Sequence, residues 1–242
     1  MRDPVTARDR LIVALDFPSA GQALAHVDQL EGRALWFKVG LELYLAAGPG
    51  IIATLREQGF RVFLDLKLHD IPNTVAGAVR SISSFGADLL TLHAAGGEAM
   101  LQAAAEAAAA RPHAPQLLAV TVLTSMDASQ LYGIGISDTP AAQVLRLARL
   151  AMNAGIPGLV CSTEEVSGLR VDLGQFPLLV VPGIRPAGAA AGDQRRTAAP
   201  GAAIAAGASM LVVGRPITQS LDPAATVDAI LVEMTAEMTE RR

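Results

Sequence analysis

Eight short apolar runs are spaced along the chain, and each is followed by a longer segment with a helical pattern. Near-continuous runs of Val, Ile and Leu are typical of parallel strands that are buried on both faces. A strand followed by a helix, repeated eight times, predicts an α/β fold of the (β/α)8 TIM barrel type, for which 242 residues is an ordinary length. An open, doubly wound sheet is the alternative. The expected strands are residues 11–15, 36–39, 62–66, 89–92, 117–122, 158–160, 178–181 and 210–213.

Start and stop signals predict where the helices lie between these strands. Ser19 can cap a helix that runs to Leu30. Asp222 can cap a final helix that has Pro223 in its first position. Gly59 is suited to end a helix, because glycine readily adopts the left-handed conformation that follows a C-terminal cap. The other expected helices are residues 51–58, 73–84, 98–110, 140–154, 163–169 and 198–206.

The composition fits one globular domain. Hydrophobic residues make up 51% of the chain and charged residues 17%, so a large core can form and disorder is not expected. No linker interrupts the sequence, which predicts a single domain over residues 1–242 with an N-terminal extension at residues 1–10. The net charge of −4, without a basic stripe, argues against a nucleic-acid partner.

The cysteine content and the lengths of the apolar segments indicate the cellular compartment. The single cysteine, Cys161, cannot form an internal disulfide, which suits a reducing environment. The apolar run that begins at Leu11 ends at Asp16 and is too short for a signal peptide. No apolar segment reaches the length that spans a membrane. We therefore expect a cytoplasmic protein without a membrane partner.

Polar residues or glycines follow nearly every expected strand. The carboxyl ends of TIM-barrel strands converge on one face, where active sites form, so this pattern predicts an enzyme. One of these residues, His93, is alone at its strand end, and a lone histidine there is more often structural than catalytic. The residues at the strand ends are Asp16, Lys38, Gly40, Asp65, Lys67, Asp70, His93, Thr121, Thr124, Gly183, Arg185, Gly214 and Arg215.

Lys38 and Lys67 are the only lysines among 19 basic residues, and both lie in apolar surroundings. Every other basic residue in the chain is arginine. The two lysine positions therefore indicate a need for a compact ammonium group that can give up a proton. Asp65 and Lys67 are two residues apart on one strand, so their side chains are expected on the same side, with Lys38 alongside.

Together with Asp70, these residues predict an array of alternating charges. In such an array each lysine stays protonated and each aspartate stays ionised, because a nearby opposite charge favours the charged form. A structural salt-bridge network is one alternative, and a Mg²⁺ site built from the aspartates is another. The lysines argue against the metal because they compete with a cation.

Glycine and arginine also follow the last two strands, where TIM barrels commonly bind phosphate. Gly183 and Gly214 allow backbone N–H groups to approach an anion, and arginine supplies a bidentate fork. Ordinary turn chemistry explains either loop alone, but the two loops together favour a phosphate site. Residues 187–192, all alanine or glycine, fit either a surface loop or a mobile lid. No spacing of His, Cys and Asp indicates zinc, and no glycine-rich fingerprint indicates a nicotinamide cofactor.

The segment at residues 64–74, Leu-Asp-Leu-Lys-Leu-His-Asp-Ile-Pro-Asn-Thr, resembles the signature of bacterial orotidine 5'-phosphate decarboxylases. Further matching segments follow in family order at residues 15–16, 37–40, 120–125, 182–186, 192–196 and 213–218. The resemblance implies a homodimeric TIM-barrel enzyme that converts orotidine 5'-monophosphate to uridine 5'-monophosphate and CO2. It also implies that no metal and no organic cofactor take part.

The same resemblance implies roles near the reacting carbon. Lys67 would protonate the carbon that loses CO2, and Asp65 would lie against the departing carboxylate. Lys38 would hold Asp65 and a ribose hydroxyl. Asp16 would bind the ribose, and Thr124 would contact the pyrimidine edge.

Further implied roles concern the phosphate and a second subunit. Asp70 and Thr74 would reach the site of the other subunit, with Ile71 as a further substrate-binding candidate. The run at 187–192 falls where the family has its closing loop. The residues implied to bind the phosphate are Arg185, Gln194, Gly214 and Arg215.

Two other functions compete with this interpretation. A related barrel with the same Asp-x-Lys-x-x-Asp spacing is a Mg²⁺-dependent decarboxylase of a keto-sugar phosphate. A barrel that binds a phosphate ligand without catalysis is the other, although a binding protein needs no proton donor.

Overall fold

The computed structural model describes residues 6–186 and 196–240 of the chain. Eight parallel strands form a closed barrel in sequence order, and β8 pairs with β1. The predicted TIM barrel is thereby confirmed and the doubly wound sheet is excluded. The strands are β1 Leu11–Ala14, β2 Trp36–Gly40, β3 Arg61–Leu68, β4 Leu89–His93, β5 Gln116–Val120, β6 Gly158–Val160, β7 Leu178–Val181 and β8 Met210–Val213.

The helices surround this barrel. A short 3-10 helix, Ala94–Gly96, follows β4. The α-helices are α1 Ala7–Arg10, α2 Ala20–Gln29, α3 Leu41–Ala47, α4 Gly50–Glu57, α5 Pro72–Ile82, α6 Glu98–Ala109, α7 Ala128–Gly133, α8 Pro140–Asn153, α9 Thr163–Leu173, α10 Pro200–Ala206, α11 Arg215–Thr218 and α12 Pro223–Glu240.

The cap signals explain several helix ends. The Ser19 side chain accepts the Gln22 N–H and starts α2, and Asp222 accepts the Ala225 N–H at the start of α12. Helix α9 continues four residues past its expected end at Leu169. It stops where Gly174, with φ of 70°, leaves the helical conformation.

Four short helices, α1, α3, α7 and α11, are absent from the sequence prediction. Helix α3 begins directly at the end of β2, and its N-cap residue, Gly40, has no side chain that could signal the start. Helix α1 lies inside the expected N-terminal extension, and its residue Ala7 is buried. The extension therefore contributes at least one residue to the packed structure.

Alternation along each strand divides the core into two layers, because successive strand residues point to opposite faces. On β1, Leu11 and Val13 pack toward the helices, whereas Ile12 and Ala14 belong to the barrel interior. The buried interior cluster is Ile12, Ala14, Trp36, Phe63, Leu89, Leu118, Leu178, Val180, Met210 and Val212.

In the part of the chain that the structure describes, no helix is both long enough and apolar enough to cross a membrane.

Candidate active site

A cavity of about 290 Å³ opens at the carboxyl ends of the strands, above the interior cluster. Every strand except β4 contributes to its lining, either directly or through the residues that follow it. Its polar lining consists of Asp16, Lys38, Asp65, Lys67, Thr124, Ser125, Arg185 and Arg215, together with the backbone at Gly183 and Gly214. Its apolar walls include Phe63, Val120, Val122, Leu123, Val160 and Val212.

Strand periodicity carries Lys38 and Asp65 into this cavity. Lys38 lies two residues after Trp36, and Asp65 lies two residues after Phe63, so each charged residue faces the interior like the apolar residue before it. Lys38 is in register with Phe63, and Asp65 is in register with Gly40 on β2. The two charges therefore occupy successive layers at the mouth of the barrel.

The charged side chains form one connected cluster. The Lys67 Nζ donates to both carboxylate oxygens of Asp65 at 2.8 Å. The Lys38 Nζ donates to Asp16 Oδ1 at 2.9 Å and lies 3.6 Å from Asp65 Oδ2. Lys38 and Asp65 are both buried, so the attraction between these two side chains acts at reduced solvent screening.

The mutual pairing keeps Lys38 and Asp65 charged. Burial by itself raises the pKa of Asp65, but Lys38 and Lys67 outweigh it and hold that pKa below its ordinary value. Burial likewise lowers the pKa of Lys38, and Asp65 and Asp16 more than offset this, so that pKa lies above its ordinary value. The cavity floor therefore presents fixed positive and negative charges at neutral pH.

Gly40 leaves room for this cluster. A Cβ atom at that position would lie 2.9 Å from the Lys38 Nζ and 3.1 Å from Asp16 Oδ1. Real Cβ atoms essentially never approach a neighbour within 3.0 Å, so the Lys38 ammonium would have to shift. The lysine–aspartate pair thus occupies the space that any other residue at position 40 would fill.

Lys67 reaches Asp65 through an irregular backbone rather than through the regular alternation that the sequence suggested. Its φ is 51°, in the left-handed region that residues other than glycine rarely adopt. The pairing of β3 with β4 shifts register between Leu64 and Leu68. The Thr91 hydroxyl accepts the backbone N–H of Lys67 and donates to Asp65 Oδ1, both at 2.9 Å.

Thr91 was not among the site residues expected from the sequence. The available signal is that Thr91 is the one polar residue in the run 89–92, which otherwise consists of leucine. A polar side chain buried at 0% exposure in such a strand requires hydrogen-bond partners.

Two histidines lie at the edge of the cluster. The rings of His69 and His93 are 5.4 Å apart between centroids. Burial lowers the pKa of His93, and the neighbouring His69 and Lys67 lower it further, while Asp65 opposes them. The structural role expected of His93 stays a prediction.

The expected phosphate-binding residues that the structure describes follow β7 and β8. Gly183, Arg185, Gly214 and Arg215 all line the cavity. Gly183 has φ of 79°, a conformation that favours glycine, and the Arg185 Nη1 donates to the Ile184 carbonyl at 2.9 Å. Gln194 and the expected lid at 187–192 lie outside the described residues.

Three expected site residues do not join the cavity within a single chain. Asp70, Ile71 and Thr74 are exposed and are absent from the described cavity lining. Asp70 Oδ1 accepts the Ile71 N–H at 2.6 Å, and Ile71 is 67% exposed immediately before α5.

A buried ion pair supports the wall formed by residues 122–125. The Arg196 Nη1 pairs with Glu165 Oε1, and both residues are buried. The Arg196 Nη2 also donates to the Leu123 carbonyl at 3.1 Å and to the Val122 carbonyl at 3.4 Å. The other Glu165 oxygen accepts the backbone N–H of Ser162 at 2.9 Å and its hydroxyl at 2.5 Å. Glu165 was not among the site residues expected from the sequence.

Among residues 6–186 and 196–240, no group of three or more His, Cys, Asp or Glu side chains is arranged to hold a metal ion.

Comparison with known proteins reveals close relatives. The orotidine 5'-phosphate decarboxylase of Halorhodospira halophila is 53% identical over 227 residues, which cover 94% of this chain and 96% of that protein. The protein of the same name from Nitrosococcus oceani is 51% identical and covers 94% of this chain and 98% of that protein.

A solved structure and a family comparison agree with these relatives. The crystal structure of orotidine 5'-phosphate decarboxylase from Lactobacillus acidophilus has a TM-score of 0.82 at 39% identity, covering 93% of this chain and 98% of that one. Residues 9–230 match the sequence model described as "Orotidine 5'-phosphate decarboxylase / HUMPS family". The chain therefore belongs to the orotidine 5'-phosphate decarboxylase / HUMPS family.

Proposed function

We propose that this protein converts orotidine 5'-monophosphate to uridine 5'-monophosphate and CO2, a step in pyrimidine nucleotide synthesis, and that it acts in the cytoplasm. The observation that carries the proposal is the connected cluster of Lys38, Asp65 and Lys67 at the floor of the cavity. Relatives that are about half identical over 94% of the chain carry the name of this activity. A cluster that places an ammonium group beside a fixed carboxylate suits the removal of a substrate carboxylate followed by protonation.

The two sides of the cavity suit the two ends of the nucleotide. Arg185 and Arg215, with the backbone at Gly183 and Gly214, are suited to bind the phosphate, and we include Gln194 in that set because of the family resemblance. Asp16 and Lys38 would bind ribose hydroxyls and Thr124 would contact the pyrimidine edge, and the presence of all three in the cavity lining supports these roles. This orientation directs the pyrimidine carboxylate toward Asp65 and Lys67.

In the proposed reaction, the bond between the pyrimidine ring and its carboxylate breaks and CO2 departs. The electron pair of that bond stays on the ring carbon. The Lys67 ammonium donates a proton to this carbon, and Lys67 then regains a proton from solvent. Asp65 lies against the substrate carboxylate, where like charges repel, and this repulsion disappears when CO2 leaves.

Fixed charge is the main catalytic resource in this proposal, which involves neither a metal nor an organic cofactor. Preorganised groups that face developing charge in a water-poor site cost no reorganisation at the moment of reaction, and removing one such group typically costs about 3 kcal/mol of transition-state stabilisation. The already paired and buried Lys38 and Asp65 fit this requirement.

We further propose a homodimer in which Asp70, Ile71 and Thr74 complete the cavity of the other subunit. Their exposure in the single chain supports this proposal. Leu41 and Leu45, which follow the neighbouring strand β2, are 53% and 79% exposed and would add apolar area to such an interface.

A direct absorbance assay on orotidine 5'-monophosphate, with a metal chelator in excess, tests this function. We expect full turnover under these conditions. Turnover that is lost in chelator and restored by Mg²⁺ would contradict the metal-free mechanism and favour a Mg²⁺-dependent decarboxylase instead. Tight binding of uridine 5'-monophosphate without turnover of the orotidine nucleotide would favour a binding protein.

A further inference from the structure

Thr91 on β4 bonds two residues of the proposed mechanism, the carboxylate of Asp65 and the backbone N–H of Lys67, and it is absent from the described cavity lining. Its side chain is fully buried beneath the cluster. The hydroxyl oxygen accepts the Lys67 backbone N–H at 2.9 Å, and the hydroxyl proton goes to Asp65 Oδ1 at 2.9 Å. Because a hydroxyl has a single proton, the bond to the backbone N–H leaves that proton for the carboxylate.

The bond to Lys67 occurs where the barrel ladder is interrupted. Between Leu64 and Leu68 the register of β3 against β4 shifts, and Lys67 adopts φ of 51°. A non-glycine residue persists in this strained region only when its surroundings hold it there. The Thr91 hydroxyl supplies the hydrogen bond that satisfies the Lys67 N–H at this irregular point of the ladder.

The bond to Asp65 adds to the carboxylate a buried partner that is absent from the described cavity lining. Lys67 binds both carboxylate oxygens, and Lys38 lies near Oδ2. With Thr91 on Oδ1, the carboxylate is held by partners from three neighbouring strands, β2, β3 and β4. A rotation of the carboxylate would break at least one of these contacts.

We propose that Thr91 is a positioning residue that sets the placement of Asp65 and Lys67 relative to each other through its one hydroxyl group. This inference rests on the proposed decarboxylation. It assigns to Thr91 no contact with substrate, so its loss should affect the chemical step more than nucleotide binding.

Thr91→Val tests the inference because valine keeps the shape and removes the hydroxyl. We expect kcat to fall by about tenfold to a hundredfold, because small misplacements of reacting groups cause losses of this size. We expect KM for the nucleotide to change by less than about threefold. Thr91→Ser retains a hydroxyl, and we expect its kcat to stay within about threefold of the wild-type value. If Thr91→Val does not fold, Thr91→Ala removes the same hydroxyl without adding bulk.

Thr121→Val is the matched control. Thr121, which directly follows β5, is also a buried threonine, but its hydroxyl donates to the Val160 carbonyl at 2.8 Å and not to the charge cluster. This variant should lose comparable thermal stability while its kcat changes little. A crystal structure of Thr91→Val adds a readout independent of activity, since we expect the Lys67 φ or the contact between Lys67 and Asp65 to change.

The outcomes separate this inference from the proposed function. An inactive wild-type protein would contradict the decarboxylation, and the crystal structures would then decide the positioning role alone. An active wild type with Thr91→Val retaining kcat within about threefold would overturn the inference. The inference would also be overturned if Thr91→Ser lost as much kcat as Thr91→Val, or if Thr121→Val did. In either case the loss would not be caused by removal of the Thr91 hydroxyl.

Discussion

At the scale of single residues, Gly40 offers a test of how closely the charge cluster is packed. A Cβ atom in Gly40→Ala would meet the Lys38 Nζ at 2.9 Å and Asp16 Oδ1 at 3.1 Å, so the lysine must move away from Asp65 or Asp16. We expect kcat/KM to fall by about tenfold or more, because the fixed charge is misplaced. Steady-state kinetics on orotidine 5'-monophosphate measures the effect.

Gly21→Ala is the control for this substitution. Gly21 lies in α2, and a Cβ atom there meets nothing within 4 Å. Its kinetics should match the wild type. Wild-type kinetics in Gly40→Ala as well would show that the cluster tolerates displacement of the Lys38 ammonium.

The paired carboxylate of Asp65 should also make stability depend on pH. Its pKa is depressed in the folded protein, so its contribution is present above the unfolded pKa of about 3.9 and is lost as the pH falls through the folded value. Asp65→Asn removes this contribution at neutral pH, because the buried Lys38 and the neighbouring Lys67 then lose their shared partner.

Urea unfolding of wild type and Asp65→Asn over a range of pH measures this dependence. We expect the wild-type advantage in free energy of unfolding to be full above pH of about 5 and to shrink as the pH falls toward about 2. A difference that stays constant across this range would mean that the folded pKa of Asp65 is not depressed.

At the scale of elements, the buried pair of Glu165 and Arg196 ties the start of α9 to the cavity wall at Val122 and Leu123. Glu165→Gln leaves the Arg196 guanidinium buried without its counter-charge. Breaking a buried pair in this way costs about 3–5 kcal/mol of folding stability.

Chemical unfolding of Glu165→Gln measures that loss, with Asp172→Asn as the control. Asp172 pairs with Arg149 outside the core, and exposed pairs contribute little. We expect Glu165→Gln to be the more destabilised variant by a clear margin. Equal stability of the two variants would argue that the Glu165–Arg196 pair contributes no more than a surface pair.

The elements also mark the limit of what the sequence predicts. Strands β6, β7 and β8 have the expected bounds because short apolar runs of Val, Leu and Ile specify buried strands directly. Lys38 and Asp65 were expected at strand ends because each lies near the end of such an apolar run.

The left-handed Lys67 and the register shift beside it were not predictable. They occur where the Lys67 N–H donates to the hydroxyl of Thr91, which is 24 residues away in the chain and becomes a neighbour only when β3 and β4 pair. Helix α7 was within reach of prediction, because Asp127 and Gln130 form a capping box that the sequence displays.

At the scale of the whole molecule, the proposed shared site predicts complementation between two inactive variants. Lys67→Ala loses the proposed proton donor, and Asp70→Ala loses the residue proposed to reach the other subunit. In a hybrid dimer one of the two cavities combines an intact Lys67 with an intact Asp70 from the partner.

Mixing the two purified variants therefore should restore activity. Random exchange of subunits makes half of the dimers hybrid, so we expect about a quarter of the wild-type turnover. The unmixed variants serve as controls, and subunit exchange is verified by mass spectrometry. Exchange without recovered activity would contradict a site shared between subunits.

The central claim is that the cluster of Lys38, Asp65 and Lys67 performs a decarboxylation with Lys67 as the proton donor. Its most direct test compares the wild type and Lys67→Ala in two measurements, turnover of orotidine 5'-monophosphate and binding of uridine 5'-monophosphate. We predict rapid turnover by the wild type, and a loss in Lys67→Ala of about 10²- to 10⁴-fold or more with nucleotide binding still measurable. Near-normal turnover by Lys67→Ala would contradict the account.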